Sequence, residues 1–123
     1  LISPTGIITT MNKAGIPVYN YMVAYKMPFF GGQVMCHTSD LALWFGSMEG
    51  AAYQYRGDET NAQRVSNHMM DALAAFAASG DPSCKLLKWA PYTTDAHNTM
   101  VFDVKSGCKV DFDRAVYEAM MNQ

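Results

Sequence analysis

Residues 16–25, Ile16-Pro17-Val18-Tyr19-Asn20-Tyr21-Met22-Val23-Ala24-Tyr25, form a run of β-branched and aromatic side chains that is apolar on both alternating faces apart from Asn20. Strict alternation would give a strand with one wet face; an apolar run on both faces gives a strand for the interior of a parallel sheet covered by helices. One such strand cannot make a sheet by itself. The run therefore predicts an α/β arrangement in which neighbouring strands come from elsewhere.

The flanking segments fit that frame. Ser3-Pro4 reads as an N-cap followed by proline at the first helical position, and Gly15 stands where a helix ends in a left-handed residue, so a short helix is expected over about residues 4–14. Thr9 and Thr10 weaken it, because β-branched side chains lose rotamer freedom in helices. Residues 26–36 read as a loop punctuated by Pro28 and Gly31-Gly32, leading to His37. A short helix is expected over 41–46, with Thr38, Ser39 and Asp40 as competent N-caps and Gly46 as its end. The helical period returns over residues 59–79, with Val65, Met69, Leu73 and Phe76 near one face and Gly80-Asp81-Pro82 as an abrupt stop. A strand over 99–104, a turn at Ser106-Gly107 and a second run over 108–112 suggest a hairpin, and Asp113 would cap a closing helix. No repeat or linker divides the 123 residues, which are expected to form a single unit.

Several function classes are excluded by composition. A formal net charge of −2 without any block of like charge leaves no electrostatic footprint for nucleic acid or an anionic membrane. No apolar run approaches the roughly 18 residues that a spanning helix needs. The chain reads as soluble. Half of it is hydrophobic and only 16% is charged, with ten Met and fifteen aromatic residues, a composition that fits either an ordinary core or an apolar interface with further protein. Cys36, Cys84 and Cys108 lack C-x-x-C spacing, so no metal site and no cofactor is expected. Cys84 and Cys108 could pair in an oxidising compartment, but free thiols are the default, which leans towards the cytoplasm over secretion without fixing the compartment.

Of the three histidines, His37 stands after the buried-type strand and its loop, just before a capped helix, and sites in open α/β sheets lie beyond the carboxyl ends of strands. An imidazole there can take a proton from a hydroxyl nucleophile and return it to a leaving group. From placement alone, a loop histidine bonded locally explains it at least as well. His68, on the long helix, reads as a surface or interhelical residue, and His97, in a polar loop, as solvated. Partners for a triad are missing. Gly46-Ser47-Met48-Glu49-Gly50 has its serine in the wrong place for the G-x-S-x-G elbow. Ser39 and Asp40 lie too close to His37 along the chain to orient its ring and are better explained as caps. Gly31-Gly32 is a turn signal before it is an oxyanion loop, and Cys36, adjacent to His37, is a poor thiol nucleophile because neighbouring side chains diverge.

Taken in order, these residues resemble the C-terminal region of type-B carboxylesterases, the family of para-nitrobenzyl esterases and cholinesterases. Gly15-Ile16-Pro17-Val18-Tyr19-Asn20-Tyr21 resembles the G-x-P-V-Y-x-Y strand, and His37-Thr38-Ser39-Asp40-Leu41 with Phe45-Gly46 resembles H-G-x-[ED]-L-x-x-x-F-G. Phe76 to Pro82 resembles F-A-x-x-G-x-P, and Trp89-Ala90-Pro91-Tyr92 with Met100-Val101-Phe102 resembles W-P-x-Y followed by M-x-F. The departures are Thr38 where the family commonly has glycine, and the extra Ala90.

The resemblance implies the C-terminal portion of an α/β-hydrolase fold and hydrolysis of small carboxylic esters by a serine, with His37 as the triad base. Nucleophile, acid and oxyanion loop belong to earlier regions of the family, so this chain alone is expected to be inactive, with the remainder of the esterase domain or another copy of itself as partner. Phe29, Phe30 and Ser39 are candidates for lining the substrate gorge. The alternative is a non-catalytic module derived from a hydrolase, which self-associates or swaps domains through its sheet edge.

Overall fold

The computed structural model describes residues 4–121; the expected N-cap Ser3 lies outside them. Eight elements follow one another: α1 (Pro4–Lys13), β1 (Asn20–Val23), α2 (Leu41–Trp44), α3 (Ala52–Tyr55), α4 (Glu59–Ser79), β2 (Thr99–Phe102), β3 (Gly107–Lys109) and α5 (Arg114–Met121). Short 3-10 turns at Phe29–Gly31 and Met48–Ala51 complete the path.

The strands make one mixed sheet in the order β1-β2-β3. β1 runs parallel to β2 with Asn20 opposite Thr99 and Val23 opposite Phe102, and β2 runs antiparallel to β3 with Met100 opposite Cys108. A parallel pair needs a long crossover, and here it contains α2, α3 and α4. The doubly apolar run does enter a parallel pair, but only residues 20–23 are strand, and β2 is the central one, buried at all four residues. Beyond Val23 the amides of Ala24 and Tyr25 both donate to the Phe102 carbonyl, at 2.8 and 3.2 Å, which ends the regular ladder. Before Asn20, Pro17 can donate nothing and Val18 makes a lone bridge to Tyr92. Tyr21 and Met22 remain 43% and 47% exposed, so the apolar faces that predicted a sheet interior are only half covered by residues 4–121.

α1 ends as its sequence predicts. Gly15 takes φ +71° and the Ile16 amide reaches back to the Met11 carbonyl at 2.9 Å. Thr10 turns its hydroxyl onto the Gly6 carbonyl, 2.8 Å away. α4 is also bounded as expected, with Gly80 at φ +77° donating to the Phe76 carbonyl. Its buried stripe differs: Ala62, Val65, Ser66, Met69 and Ala72 face the core, whereas Leu73 and Phe76 lie at the margin, half exposed. Small residues at 62, 66 and 72 let α4 approach closely, and the larger pair borders an apolar cleft with Met11, Val18, Tyr19 and Trp89.

The core joins Leu43 of α2, the α4 stripe, Met100 and Phe102 of β2, and Tyr25, Tyr55, Leu87 and Trp89. Phe102 meets Trp44 and Trp89 edge to face, with ring centroids 5.3 and 5.6 Å apart, the arrangement that aromatic quadrupoles favour. The 99–104 run stops as strand at Phe102, and the turn spans Asp103–Ser106, so Gly107 opens β3 instead of making the turn. β3 in turn spans residues 107–109 where a run over 108–112 was expected, and the chain leaves it through Asp111 at φ +53°.

Candidate functional site

His37 sits in a turn over residues 36–40 between the 26–36 loop and α2, and its side chain is exposed. The turn is fixed by its own polar groups. Ser39 Oγ accepts the Cys36 amide at 2.8 Å and lies 2.7 Å from the Cys36 carbonyl and 3.3 Å from Met35 Sδ, while the Leu41 amide donates to the Thr38 carbonyl at 3.2 Å. Tyr55 OH of α3 reaches the Ser39 carbonyl at 3.5 Å. Thr38 holds φ +65°, a left-handed conformation rare for a β-branched residue, at the position where the resemblance implies glycine.

None of the three expected caps makes a side-chain bond to the start of α2. The Asp40 carboxylate instead accepts from Tyr21 OH and from Trp44 Nε1, both at 3.3 Å. Tyr21 and Trp44 are themselves stacked edge to face at 5.0 Å. Burial and the nearby Asp40 charge push the Tyr21 phenol above its ordinary range. Asp40 is thus engaged with β1 and α2, and no carboxylate bonds the His37 ring among the described residues. Ser39 likewise has its hydroxyl committed to the turn.

Phe29 and Phe30 occupy the tip of a loop closed by reciprocal bonds between Met27 and Gln33, 2.9 and 2.8 Å long. Gly31 and Gly32, at φ +79° and +113°, make the turn. Their amides donate to the Pro28 and Phe29 carbonyls, so they are engaged within the turn instead of pointing at a substrate oxygen. Around Gly46, at φ +63°, the chain passes from α2 into a 3-10 turn, with none of the strand-to-helix geometry of a nucleophile elbow.

Two features escaped the sequence reading. His97, expected to be solvated, is 2% exposed. Its Nδ1 lies 3.1 Å from Asp113 Oδ1, its ring packs on Tyr92 at 4.9 Å, and Tyr92 OH donates to Asp113 Oδ2 at 3.4 Å. The expected helix cap Asp113 therefore has its carboxylate turned to His97, holding the start of α5 to the segment before β2. Polarity of the surrounding Thr-Thr-Asp-Ala-His-Asn sequence hid this, since the partner lies 16 residues on. His68, expected to be a surface or interhelical residue, has Nδ1 3.1 Å from Oγ of Ser106 in the turn before β3, and that hydroxyl also donates to the Asp103 carbonyl at 2.8 Å. Cys36, Cys84 and Cys108 are all free thiols. Among the described residues no three His, Cys, Asp or Glu side chains converge to hold a metal ion, and no helix is long and apolar enough to cross a membrane.

The fold is that of solved esterases. An esterase from Clostridium hathewayi, described as able to hydrolyse aliphatic aromatic polyesters, superposes with TM-score 0.82 at 24% identity, covering 97% of this chain and 24% of that one. A Geobacillus stearothermophilus carboxylesterase gives TM-score 0.78 at 26% identity over 91% of this chain and 24% of its own. A para-nitrobenzyl esterase gives TM-score 0.77 at 19% identity over 89% and 23%. The chain thus spans about a quarter of the length of the solved structures it matches. No curated protein sequence matches it significantly. The model of the carboxylesterase family matches residues 1–119, so this α/β chain belongs to the carboxylesterase family.

Proposed function

We propose that the chain is the part of a serine carboxylic-ester hydrolase that supplies the general base, His37, to a nucleophile and an orienting acid contributed by other sequence. The observation that carries this is the state of His37: an exposed imidazole on a turn whose backbone is locked by Ser39 and Thr38 and tied to α3 by Tyr55. Family membership supports the chemistry. The serine hydroxyl passes its proton to His37 as its oxygen bonds to the ester carbonyl carbon; the imidazolium then protonates the departing alkoxide, and water repeats the sequence on the acyl-enzyme. The Asp40 carboxylate accepts from Tyr21 and Trp44 through Oδ2, and no bond joins it to the His37 ring among the described residues, which supports an orienting acid contributed by other sequence.

The test is turnover of a para-nitrophenyl acyl ester. The 123-residue chain alone is expected to give none. Joined to the sequence that supplies G-x-S-x-G, it is expected to turn over, and His37→Ala is expected to lower kcat by at least about a hundredfold. Turnover by the isolated chain that vanishes in His37→Ala would show that the site is complete within it.

A second reading has its own support: β1 is paired along one edge only among the described residues, and Tyr21 and Met22 are exposed beside it. Such an edge suits a module that self-associates. Light scattering separates the two, since a strictly monomeric isolated chain counts against the module.

A further inference from the structure

We infer that Tyr21 is a positioning residue for His37, holding the base in place through Asp40, an inference that rests on the reading of His37 as the base. The His37 turn is held at both ends. Ser39 closes its start on Cys36, a contact internal to the turn. Its far end is Asp40, whose Oδ2 takes hydrogen bonds from Tyr21 OH and Trp44 Nε1, both at 3.3 Å. The Trp44 bond stays within the one turn of α2 and moves with it. The Tyr21 bond spans 19 residues, and among the described residues it is the only hydrogen bond that joins the 36–40 turn to a strand.

Packing aims the phenol. The Tyr21 ring meets Trp44 edge to face at 5.0 Å and 78°, and Phe102 at 6.2 Å and 65°. Phe102 is wholly buried at the end of β2, and Tyr21 stands opposite Met100 in the parallel ladder, so ring and backbone are both fixed. A phenylalanine would keep both ring contacts. What the hydroxyl adds is the link to Asp40, which runs from a core ring through phenol and carboxylate to a backbone position three residues after His37.

α2 has four residues and cannot stabilise its own first turn. Tertiary bonds hold it instead: the Leu43 carbonyl is fastened to Ser66 of α4, and Asp40 to β1. Without the phenol, the start of α2 loses its polar tie to the sheet, and the turn carrying His37 is free to shift. A general base works only within hydrogen-bond reach of the proton that it takes, and a displacement of about 1 Å lowers the rate by up to about a hundredfold. Such a shift impairs proton transfer without touching ester binding, so the loss falls on kcat.

The test measures kcat and KM for para-nitrophenyl acetate in the intact esterase carrying residues 1–123. Tyr21→Phe is expected to lower kcat about tenfold with KM changed by less than about twofold. Asp40→Ala removes the acceptor and is expected to lower kcat at least as far. Adding Tyr21→Phe to Asp40→Ala is expected to lower it by less than about twofold more, because both changes break the same link. An unchanged kcat, a loss carried by KM, or the same tenfold loss in the Asp40→Ala background overturns the inference. A Tyr21→Phe chain that no longer folds also overturns it, by assigning the hydroxyl to the fold, and Asp40→Ala with unchanged kcat overturns it without that variant. His37→Ala reports separately: turnover that survives it removes the base, whereas its loss alongside an unaffected Tyr21→Phe enzyme removes only the role of Tyr21.

Discussion

Ser66, wholly buried on α4, donates a 2.8 Å hydrogen bond to the backbone carbonyl of Leu43 in α2. The long helix is thereby fastened to the short helix that follows the His37 turn. Ser66→Ala leaves that buried carbonyl without its partner and is expected to cost about 1–3 kcal/mol, read as a lower urea midpoint at unchanged m-value.

Thr38 holds a left-handed backbone between His37 and Ser39. Glycine adopts that conformation freely but brings more unfolded-state entropy, so Thr38→Gly is expected to stabilise the chain by a net of about 0.5–1 kcal/mol. The Thr38 hydroxyl donates to the His37 carbonyl at 2.6 Å, a local bond whose loss subtracts little in water. A lower midpoint in thermal unfolding would show that this bond outweighs the backbone strain.

The Asp113 carboxylate accepts from Tyr92 OH and pairs with the buried His97. Asp113→Ala strips a buried imidazole of that partner and is expected to cost about 1–3 kcal/mol, with faster amide exchange in α5 than in α4. Uniform loss of protection across the chain would show that α5 does not open on its own.

Alkaline pH should destabilise the fold through Tyr25. Burial, and then its hydrogen bond to Asp58, raise the Tyr25 phenol well above its ordinary value. The unfolded chain then loses this proton first, so the stabilisation is complete below about pH 10 and falls as pH rises through and beyond that value. Tyr25→Phe should flatten this part of the decline, checked by tyrosinate absorbance alongside denaturation at each pH. An unchanged slope would assign the alkaline loss to Tyr21 or Tyr55, which burial also shifts upward.

What was legible in the sequence was mainly what neighbouring residues decide. Gly15, Gly46 and Gly80 mark helix ends because only local sterics matter there, and all three take positive φ. The period of α4 gave its ends, yet its buried stripe is rotated, because small side chains at 62, 66 and 72 determine which face can approach α2 and β2. Residues 48–55 were assigned no element, since their helical turns depend on packing of Tyr55 into the core. Motif order makes His37 the candidate base, whereas the turn that Ser39 closes around it was read as a helix cap. The ring contact of Tyr53 with Phe29 was not readable, because Phe29 lies two dozen residues earlier and no periodicity relates them. A separation of 16 residues likewise hid the pairing of His97 with Asp113.

The Asn20 side chain donates to the Thr99 hydroxyl at 3.0 Å across the parallel pair. A one-residue slip would separate these groups and turn every side chain of β1 to the opposite face. The bond therefore acts as a zero mark for the sheet: a strand added along the outer edge of β1 takes its phase from Asn20, and with it the height at which the loop beyond β1 presents its imidazole.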